Sequence, residues 1–160
     1  MSASSALDHP QTTLWGPHLW MILHSAAERF GSLSLKRLPQ EEQRIWGGLL
    51  ASLRYSLPCP RCKLHYTEYG KSHPLIIKKH ELRTWLYELH NDVNRRLERP
   101  CDVALDGVEE RYQVPFHFSK HCAVVQEQMA RAIRRGICTR EDVQRTLRFL
   151  EELKRFYDFF

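Results

Sequence analysis

A chain of 160 residues has room for one domain with a substantial core, and two domains would each be small. The hydrophobic share of 42% is ordinary for a globular protein and argues against extensive disorder. The net charge is +5, but Lys and Arg are interspersed with Asp and Glu, so we expect no nucleic-acid partner. No segment approaches the ~20 apolar residues of a membrane span, and the N-terminus has no secretory signal. We therefore expect a cytoplasmic protein without a membrane partner.

Helical periodicity dominates the chain, and no stretch shows strand-like alternation. Apolar residues recur at helical spacing over 15–30, 41–56 and 78–97. A shorter helix is predicted from the pair of cysteines at 59 and 62 to about Tyr69. Residues 101–119 show no sustained period and are predicted to be a loop. Two amphipathic helices follow, over 120–135 and 139–157, the second with Thr139 as N-cap. The predicted fold class is all-α.

These patterns divide the chain into three parts. Residues 1–13 are predicted to be a flexible leader, 14–104 a helical core, and 105–160 a helical C-terminal extension. Aromatic and aliphatic residues form an apolar stripe at the end of the extension. Such a stripe is not expected to stay in water, so we predict that it packs on the core or forms a dimer interface.

Two cysteines three positions apart, Cys59 and Cys62, mark the segment LPCPRCKLHY at 57–66. If Pro60 lies in the first helical turn, the pair sits at a helix N-terminus, where peptide dipoles and nearby Arg61 and Lys63 favour a thiolate. The pair can then act as a redox-active disulfide. It can also be half of a zinc site. With no second CxxC in the chain, a zinc-stapled helical interaction module remains the alternative, and no metal ligands are predicted in the leading interpretation.

Two other stretches place polar and aromatic side chains on helix faces. Trp20 and His24 are four residues apart, so they share one face of the first helix. On their own they are typical of a core tryptophan beside a hydrogen-bonded histidine. On the long helix over 78–97, His90, Asn91 and Asn94 interrupt an otherwise apolar pattern. Buried polar groups need partners, which a polar aromatic ligand would supply.

In this order, the three stretches resemble the Erv/ALR family of FAD-dependent sulfhydryl oxidases. The matching segments are WGPHLWMILH at 15–24, PCPRC at 58–62 and WLYELHNDVNRRLERP at 85–100. The resemblance covers about residues 14–100 and implies a bundle of four or five helices that holds FAD against the CxxC. By position, it implies that the cofactor contacts Gly16, Trp20 and His24 on the first helix, Tyr66 after the CxxC, Trp85, His90, Asn91, Val93 and Asn94 on the long helix, and Arg96 and Arg99 near the phosphates.

The resemblance also implies a reaction. A substrate thiolate attacks the disulfide at Cys59, and Cys62 is released as a low-pKa thiolate beside the flavin. Two electrons pass to FAD and then to molecular oxygen, giving hydrogen peroxide. The implied substrates are thiol-containing proteins, among them a thioredoxin-like carrier.

The chain departs from the family pattern at several positions. Tyr87 and Ala104 stand where many members have cysteines of a structural disulfide, and Glu98 stands where a glycine is usual. The chain shows no distal shuttle cysteine pair. Cys122 and Cys138 are interpreted as buried thiols or as a disulfide. Family members are commonly homodimers, so a homodimer is expected, and the minimal architecture resembles members encoded by large DNA viruses, with the virion as a second location.

Overall fold

The computed structural model describes residues 9–33, 37–101 and 105–160. These residues form seven α-helices and no β-strand, so the predicted all-α class is confirmed. No helix within the described ranges is long and apolar enough to cross a membrane. The helices are α1 (Thr12–Glu28), α2 (Pro39–Ser56), α3 (Pro60–Ser72), α4 (Lys79–Arg96), α5 (Leu105–Tyr112), α6 (Phe118–Arg134) and α7 (Arg140–Phe156).

Helix α5 lies where the sequence predicted a loop, and that prediction is wrong. Leu105, Val108 and Tyr112 share one helix face, and the last two are buried. Eight residues are too few for a helix that is stable alone, so packing of this face stabilises α5. Helix α1 begins at Thr12, three residues before the predicted start, so Thr12 and Thr13 of the predicted leader are helical. Residues 1–8 of that leader lie outside the described residues.

The ends of the helices carry recognisable local signals. The Thr139 hydroxyl accepts the Asp142 N–H at 3.2 Å, which confirms the predicted N-cap of α7. Helix α6 ends before Gly136, which has a φ of 72°. Helix α4 ends less favourably, because Glu98 has a φ of 57° in the left-handed region that favours glycine. Glu98 occupies the position at which members of the Erv/ALR family, which the sequence resembles, usually have glycine.

Two helices organise the packing. Helix α1 packs against α4, α5 and α6, while α2 packs against α3 and α7. Helices α6 and α7 also contact each other, so the C-terminal extension covers faces of both α1 and α2. Much of the predicted apolar stripe is used inside the chain: Leu150, Leu153, Phe156 and Tyr157 are buried, Phe149 and Phe159 are half-buried, and Phe160 remains exposed.

The interface between α2 and α7 is close and polar groups within it are paired. A Cβ on Gly48 would lie 2.2 Å from the Phe149 ring, so only glycine allows this approach. Beside it, the buried Thr146 hydroxyl lies 2.7 Å from Ser52 Oγ and 2.6 Å from Ser56 Oγ. These contacts join residues 90 and 94 positions apart in sequence, at a depth where unpaired hydroxyls would be destabilising.

A second buried network closes the same interface around Glu42. Its carboxylate accepts the Gly31 N–H at 3.0 Å and the hydroxyl of Tyr157. The Trp46 indole N–H donates to the same Tyr157 oxygen at 3.0 Å. Burial, followed by the bond to Glu42, raises the pKa of Tyr157, which therefore stays a neutral donor. The network anchors the end of α7 to α2.

Candidate functional site

The cysteine pair lies at the start of α3. Cys59 is the N-cap residue, and Pro60 occupies the first helical position, where its missing N–H costs little. The Cys62 N–H donates to Cys59 Sγ at 3.2 Å. Cys59 is half-buried, whereas Cys62 is only 8% exposed. All five cysteines are free thiols in this structure, so neither a Cys122–Cys138 disulfide nor a disulfide at Cys101 is present.

The two thiols differ in acidity. The pKa of Cys59 is lowered to about 6, first because the Cys62 S–H donates to it and then because the Cys62 and Arg61 backbone N–H groups do so as well. The pKa of Cys62 is raised, first by its hydrogen bond to Cys59 and then by burial. The Arg96 guanidinium, 3.9 Å from Cys62 Sγ, acts in the opposite direction. In the dithiol, the thiolate therefore forms on Cys59.

This result corrects the sequence prediction, which placed the low pKa on Cys62. The N-cap residue receives the free N–H groups of the first helical turn, and here that residue is Cys59. Cys62 lies one turn further along, with its N–H donated away and its side chain against the apolar interior. Proximity to a helix N-terminus does not by itself decide which of two cysteines is ionised.

Cys62 forms part of the wall of a cleft between α1, α3 and α4, here called the thiol cleft. It contains about 610 Å³ of space, part of it open to solvent. Its walls are mainly apolar, with two cationic side chains at the α4 end. The predicted site residues on it are Gly16, Trp20, Cys62, Tyr66, Val93, Arg96 and Arg99; Thr12, Trp15, Leu19, Leu23, Leu53, Leu57, His65, Leu89 and Leu97 complete it.

A second cleft, here called the histidine cleft, lies between α1, α4 and α5. It encloses about 470 Å³ and is more polar than the thiol cleft. Its walls contain the predicted residues His24, His90, Asn91 and Asn94, together with Tyr87, Val108, Arg111 and Tyr112. The sequence therefore identified residues that the fold distributes over two neighbouring clefts.

A stack of aromatic rings separates the two clefts. The Trp20 indole lies on the His90 ring at a centroid distance of 4.1 Å and an interplanar angle of 7°. His24 Nε2 is 2.9 Å from His90 Nδ1, and Tyr112 stacks on the other side of His24 at 4.6 Å. Burial, then the neighbouring His90 and Arg111, lowers the pKa of His24 to about 3. Its imidazole is therefore neutral near pH 7, with one donor and one acceptor nitrogen.

Trp85 is the predicted cofactor residue that lies in neither cleft. Its indole N–H donates to the His73 carbonyl at 2.7 Å, and its ring meets the edge of Tyr66 at 6.2 Å. Tyr66 stands between Trp85 and the thiol cleft, with its hydroxyl donating to the Leu50 carbonyl. In this structure Trp85 supports Tyr66 from behind, and its predicted contact with a cofactor stays a prediction.

The thiol cleft has the features of a site for a large ligand with apolar rings and negative charge. The Trp15 indole nitrogen is buried in the wall of this cleft and has no hydrogen-bond partner among the residues that the structure describes. A Cβ on Gly16 would meet only Thr12, at 3.9 Å, so its missing side chain leaves space on the cleft side. Arg96 and Arg99 supply positive charge at the α4 end. These features fit a flavin dinucleotide.

Arg111 and Tyr112 are the residues that sequence reasoning missed. Both belong to α5, which was predicted to be a loop, yet they line the histidine cleft beside His24. The spacing of Leu105, Val108 and Tyr112 was the available signal, but over eight residues it is too short to distinguish from chance.

The zinc alternative finds no support in this arrangement. In the part of the chain that the structure describes, no group of three or more His, Cys, Asp or Glu side chains is placed to hold a metal ion. A structural zinc site needs four such ligands in tetrahedral geometry.

Comparison with known proteins identifies relatives of this chain. The model of the Erv1 / Alr family matches residues 17–113, which includes the cysteine pair and helices from α2 to α5. The FAD-linked sulfhydryl oxidase of African swine fever virus (isolate Warthog/Namibia/Wart80/1980) is 33% identical over 86 residues, covering 53% of this chain and 69% of that protein.

Further relatives come from another virus and from yeast. A protein of Invertebrate iridescent virus 3 is 29% identical over 109 residues, covering 64% of this chain and 68% of its own length. The mitochondrial FAD-linked sulfhydryl oxidase ERV1 of Saccharomyces cerevisiae is 26% identical over 95 residues, covering 59% of this chain and 48% of that protein. No solved structure matches the chain significantly.

Proposed function

The chain belongs to the Erv1 / Alr family, and on this premise we propose that it is an FAD-linked sulfhydryl oxidase that forms disulfides in thiol substrates and passes the electrons to molecular oxygen. One observation carries the proposal. Cys62, the buried member of a cysteine pair whose pKa values are shifted in opposite directions, lies on the wall of a cleft with apolar surfaces, cationic side chains and a buried indole N–H that has no partner among the described residues.

The two clefts together supply the groups that would hold FAD. The apolar walls of the thiol cleft suit the ring system, and Arg96 and Arg99 suit the phosphates. Asn91 and Asn94 provide amide groups in the histidine cleft, His24 provides a neutral imidazole, and His90 provides a second imidazole. When bound, FAD supplies the two-electron oxidation of the dithiol and the transfer of both electrons to oxygen, which becomes hydrogen peroxide.

Substrate enters the reaction at Cys59. Cys59 is half-buried while Cys62 is almost inaccessible, so a substrate thiolate reaches the Cys59 sulfur of the Cys59–Cys62 disulfide. A bond forms between the substrate sulfur and Cys59 Sγ, and the Cys59–Cys62 bond breaks. Cys62 then carries the negative charge, which the guanidinium of Arg96 at 3.9 Å stabilises.

The N-cap position of Cys59 assists the next step. A second substrate thiolate attacks the substrate sulfur of the mixed disulfide, which forms the product disulfide and releases Cys59. The backbone N–H groups of Cys62 and Arg61 point at the Cys59 sulfur and stabilise the departing thiolate. The pair is left as a dithiol, and because Cys62 Sγ lines the thiol cleft, both electrons leave the protein's thiols through Cys62.

A homodimer and a thioredoxin-like carrier complete the proposal. Both are supported by the family alone. Size-exclusion chromatography with light scattering tests the dimer, for which we expect twice the chain mass of 19.0 kDa. A single-chain mass across the micromolar range would contradict it.

The visible spectrum of the purified protein tests the central proposal. We expect a yellow protein whose flavin band is bleached by dithiothreitol under nitrogen and returns when air is admitted, with release of hydrogen peroxide. A colourless protein that neither takes up added FAD nor consumes oxygen with dithiothreitol would contradict the proposal. If the flavin band were bleached but did not return in air, the oxidation of thiols by FAD would be supported and oxygen would be excluded as the electron acceptor.

A further inference from the structure

A third cleft lies beside the cysteine pair on the side away from FAD-binding residues, and we call it the docking cleft. It encloses about 530 Å³, much of it open to solvent. It is formed by the end of α2, the first turns of α3, and the connection between α6 and α7. Its lining residues are Arg54, Tyr55, Lys63, Leu64, Thr67, Ile137, Cys138, Thr139 and Asp142.

The docking cleft is connected to the backbone of Cys59. The Leu57 carbonyl oxygen accepts the Cys59 N–H at 2.8 Å and the Cys138 thiol at 3.4 Å, so Cys59 and a residue of the cleft wall share one acceptor. On the other side, the Lys63 N–H donates to the Cys59 carbonyl at 3.0 Å. The wall of the docking cleft therefore adjoins the backbone of Cys59, the residue at which substrate enters.

The surface of the cleft combines exposed apolar groups with positive charge. Leu64 is 60% exposed and Tyr55 is 47% exposed, which is high for large hydrophobic side chains. The Arg54 guanidinium lies over the Tyr55 ring at 4.9 Å. Together they form a patch with the properties of a protein-binding surface, in which aromatic and arginine side chains are enriched.

The charges favour an acidic partner. Arg54 and Lys63 line the cleft, and Arg61 is exposed next to Cys59. Within the described ranges, no ion pair involves these three side chains; the Lys63 ammonium donates to the Ile137 carbonyl instead. Asp142 is the acidic residue of the cleft, and its carboxylate is paired with Arg145 at 3.1 Å.

From these observations we propose that the docking cleft binds the cysteine-bearing segment of the protein substrate and that this segment is acidic. The inference rests on the proposed thiol oxidase function. Residues 137–139 and Asp142 lie beyond the family match, which ends at residue 113, so the C-terminal extension contributes substrate recognition that the family region does not contain. Lys63, through the Ile137 carbonyl, holds the extension against α3.

Charge reversal at Arg54 tests the proposal. Two decapeptides with two cysteines each would be compared as substrates, one flanked by glutamates and one by lysines, with dithiothreitol as the small-molecule reference. Arg54→Glu is expected to lower kcat/KM for the glutamate peptide about tenfold, to raise it for the lysine peptide, and to leave turnover of dithiothreitol unchanged. Leu64→Ser is expected to lower kcat/KM for both peptides.

Lys79→Glu is the matched control. Lys79 is exposed at the start of α4, near the end of α3 opposite to Cys59, and its reversal changes the net charge by the same amount. This variant should retain the peptide preference of the wild type. If Arg54→Glu and Lys79→Glu had equal effects, the peptide preference would come from the net charge of the protein. That result would contradict the proposal that the docking cleft binds the substrate segment.

A binding measurement separates failure of docking from failure of the oxidase function. Fluorescein-labelled versions of the two peptides with serine in place of cysteine bind without reacting, and fluorescence anisotropy reports their Kd. Tighter binding of the glutamate peptide that Arg54→Glu abolishes supports the docking cleft, whether or not the protein turns over dithiothreitol. Equal Kd values for both peptides, in the wild type and in Arg54→Glu, overturn it.

Discussion

Polar groups have different surroundings in two regions of the molecule, the interface between α2 and α7 and the region around the cysteine pair. In the interface, Thr146 lies against two serine hydroxyls and Glu42 receives a backbone N–H and the Tyr157 hydroxyl. Around the cysteine pair, the Trp15 indole nitrogen is buried without a partner among the described residues, and two adjacent thiols have pKa values shifted in opposite directions. The pKa of Tyr157 is also shifted, but its hydroxyl is a paired donor that stabilises the fold, whereas an unpaired donor close to two reactive thiols marks a surface where chemistry takes place.

The contrast is informative because both regions involve α2. One face of this helix packs on α7 through Gly48, Ser52 and Ser56, and its C-terminal end leads directly into the cysteine pair. A rigid, fully paired interface thus holds one end of the site. We expect substitutions in the interface to change stability and those near the clefts to change chemistry.

Loss of Cys62 is expected to have the largest effect. Cys62→Ser removes the sulfur that forms the disulfide with Cys59, so thiol oxidation should fall at least ~1,000-fold. Serine is close to cysteine in size, so the cleft wall is almost unchanged and FAD should stay bound. Oxygen consumption with dithiothreitol and the flavin absorbance measure the two properties. Cys122→Ser, half-buried on α6, is the control and should remain active. Substantial oxygen consumption by Cys62→Ser would refute the assigned pair.

The next largest effect is expected in the pKa of Cys59. Only the thiolate reacts with iodoacetamide, so in the reduced apoprotein the alkylation rate of Cys59 should fall about tenfold per pH unit below a midpoint near 6 and level off above it. Cys62→Ala removes the S–H donor and should move the midpoint upward, toward the ordinary ~8.5. Mass spectrometry of the alkylated peptide measures the rate. A wild-type midpoint near that of an ordinary cysteine would show that the thiols are not coupled.

His90→Ala is expected to weaken FAD retention about 10- to 100-fold. The change removes the ring that stacks on Trp20 and leaves the buried His24 Nε2 without its partner. Flavin absorbance after desalting and the Kd of added FAD measure the effect. His121→Ala is a matched control, because His121 makes a comparable ring-nitrogen contact with His18 at 2.8 Å outside both clefts. Equal flavin loss in the two variants would count against the histidine cleft.

Gly48→Ala should lower stability by about 1–3 kcal/mol without changing the spectrum of bound flavin. Its Cβ would overlap the Phe149 ring, so this ring must leave its position in the interface. Thermal unfolding measures the loss, roughly 2–4 °C for each kcal/mol in a chain of this size. In Gly47→Ala the new Cβ meets only the end of the Ile77 side chain at 3.3 Å, so this control should lose less. A more stable Gly48→Ala protein would contradict the close packing of α2 on α7.

The smallest expected effect is a gain. Glu98→Gly relieves a left-handed backbone conformation at the end of α4, and we expect stabilisation of about 0.5–1 kcal/mol after the entropy of glycine in the unfolded chain is included. Thermal unfolding at neutral pH measures it. Glu88→Gly, at an exposed helical position of the same helix, should instead destabilise the protein. A lower Tm in Glu98→Gly would contradict the strain at this position.

Local pattern was sufficient wherever a property depends on residues close in sequence. Periodicity over residues 78–97 predicted the long helix α4, and Thr139 with two acids in the following turn predicted the start of α7. Proline after Cys59 likewise placed the cysteine pair at a helix N-terminus. Each of these signals acts within one or two turns of helix, where backbone sterics and hydrogen bonding decide the outcome.

The sequence by itself therefore determined the described helices other than α5, the position of the cysteine pair and the family resemblance. Only the tertiary structure decided that Trp20 and His24, on one helix, line different clefts, because His90 of α4 stacks on Trp20 and lies 2.9 Å from His24 Nε2. It also decided that Tyr112 joins the site and that the extension lies beside Cys59. These outcomes depend on which faces of distant helices fit together, and that fit comes from packing between residues far apart in the chain, which no local pattern encodes.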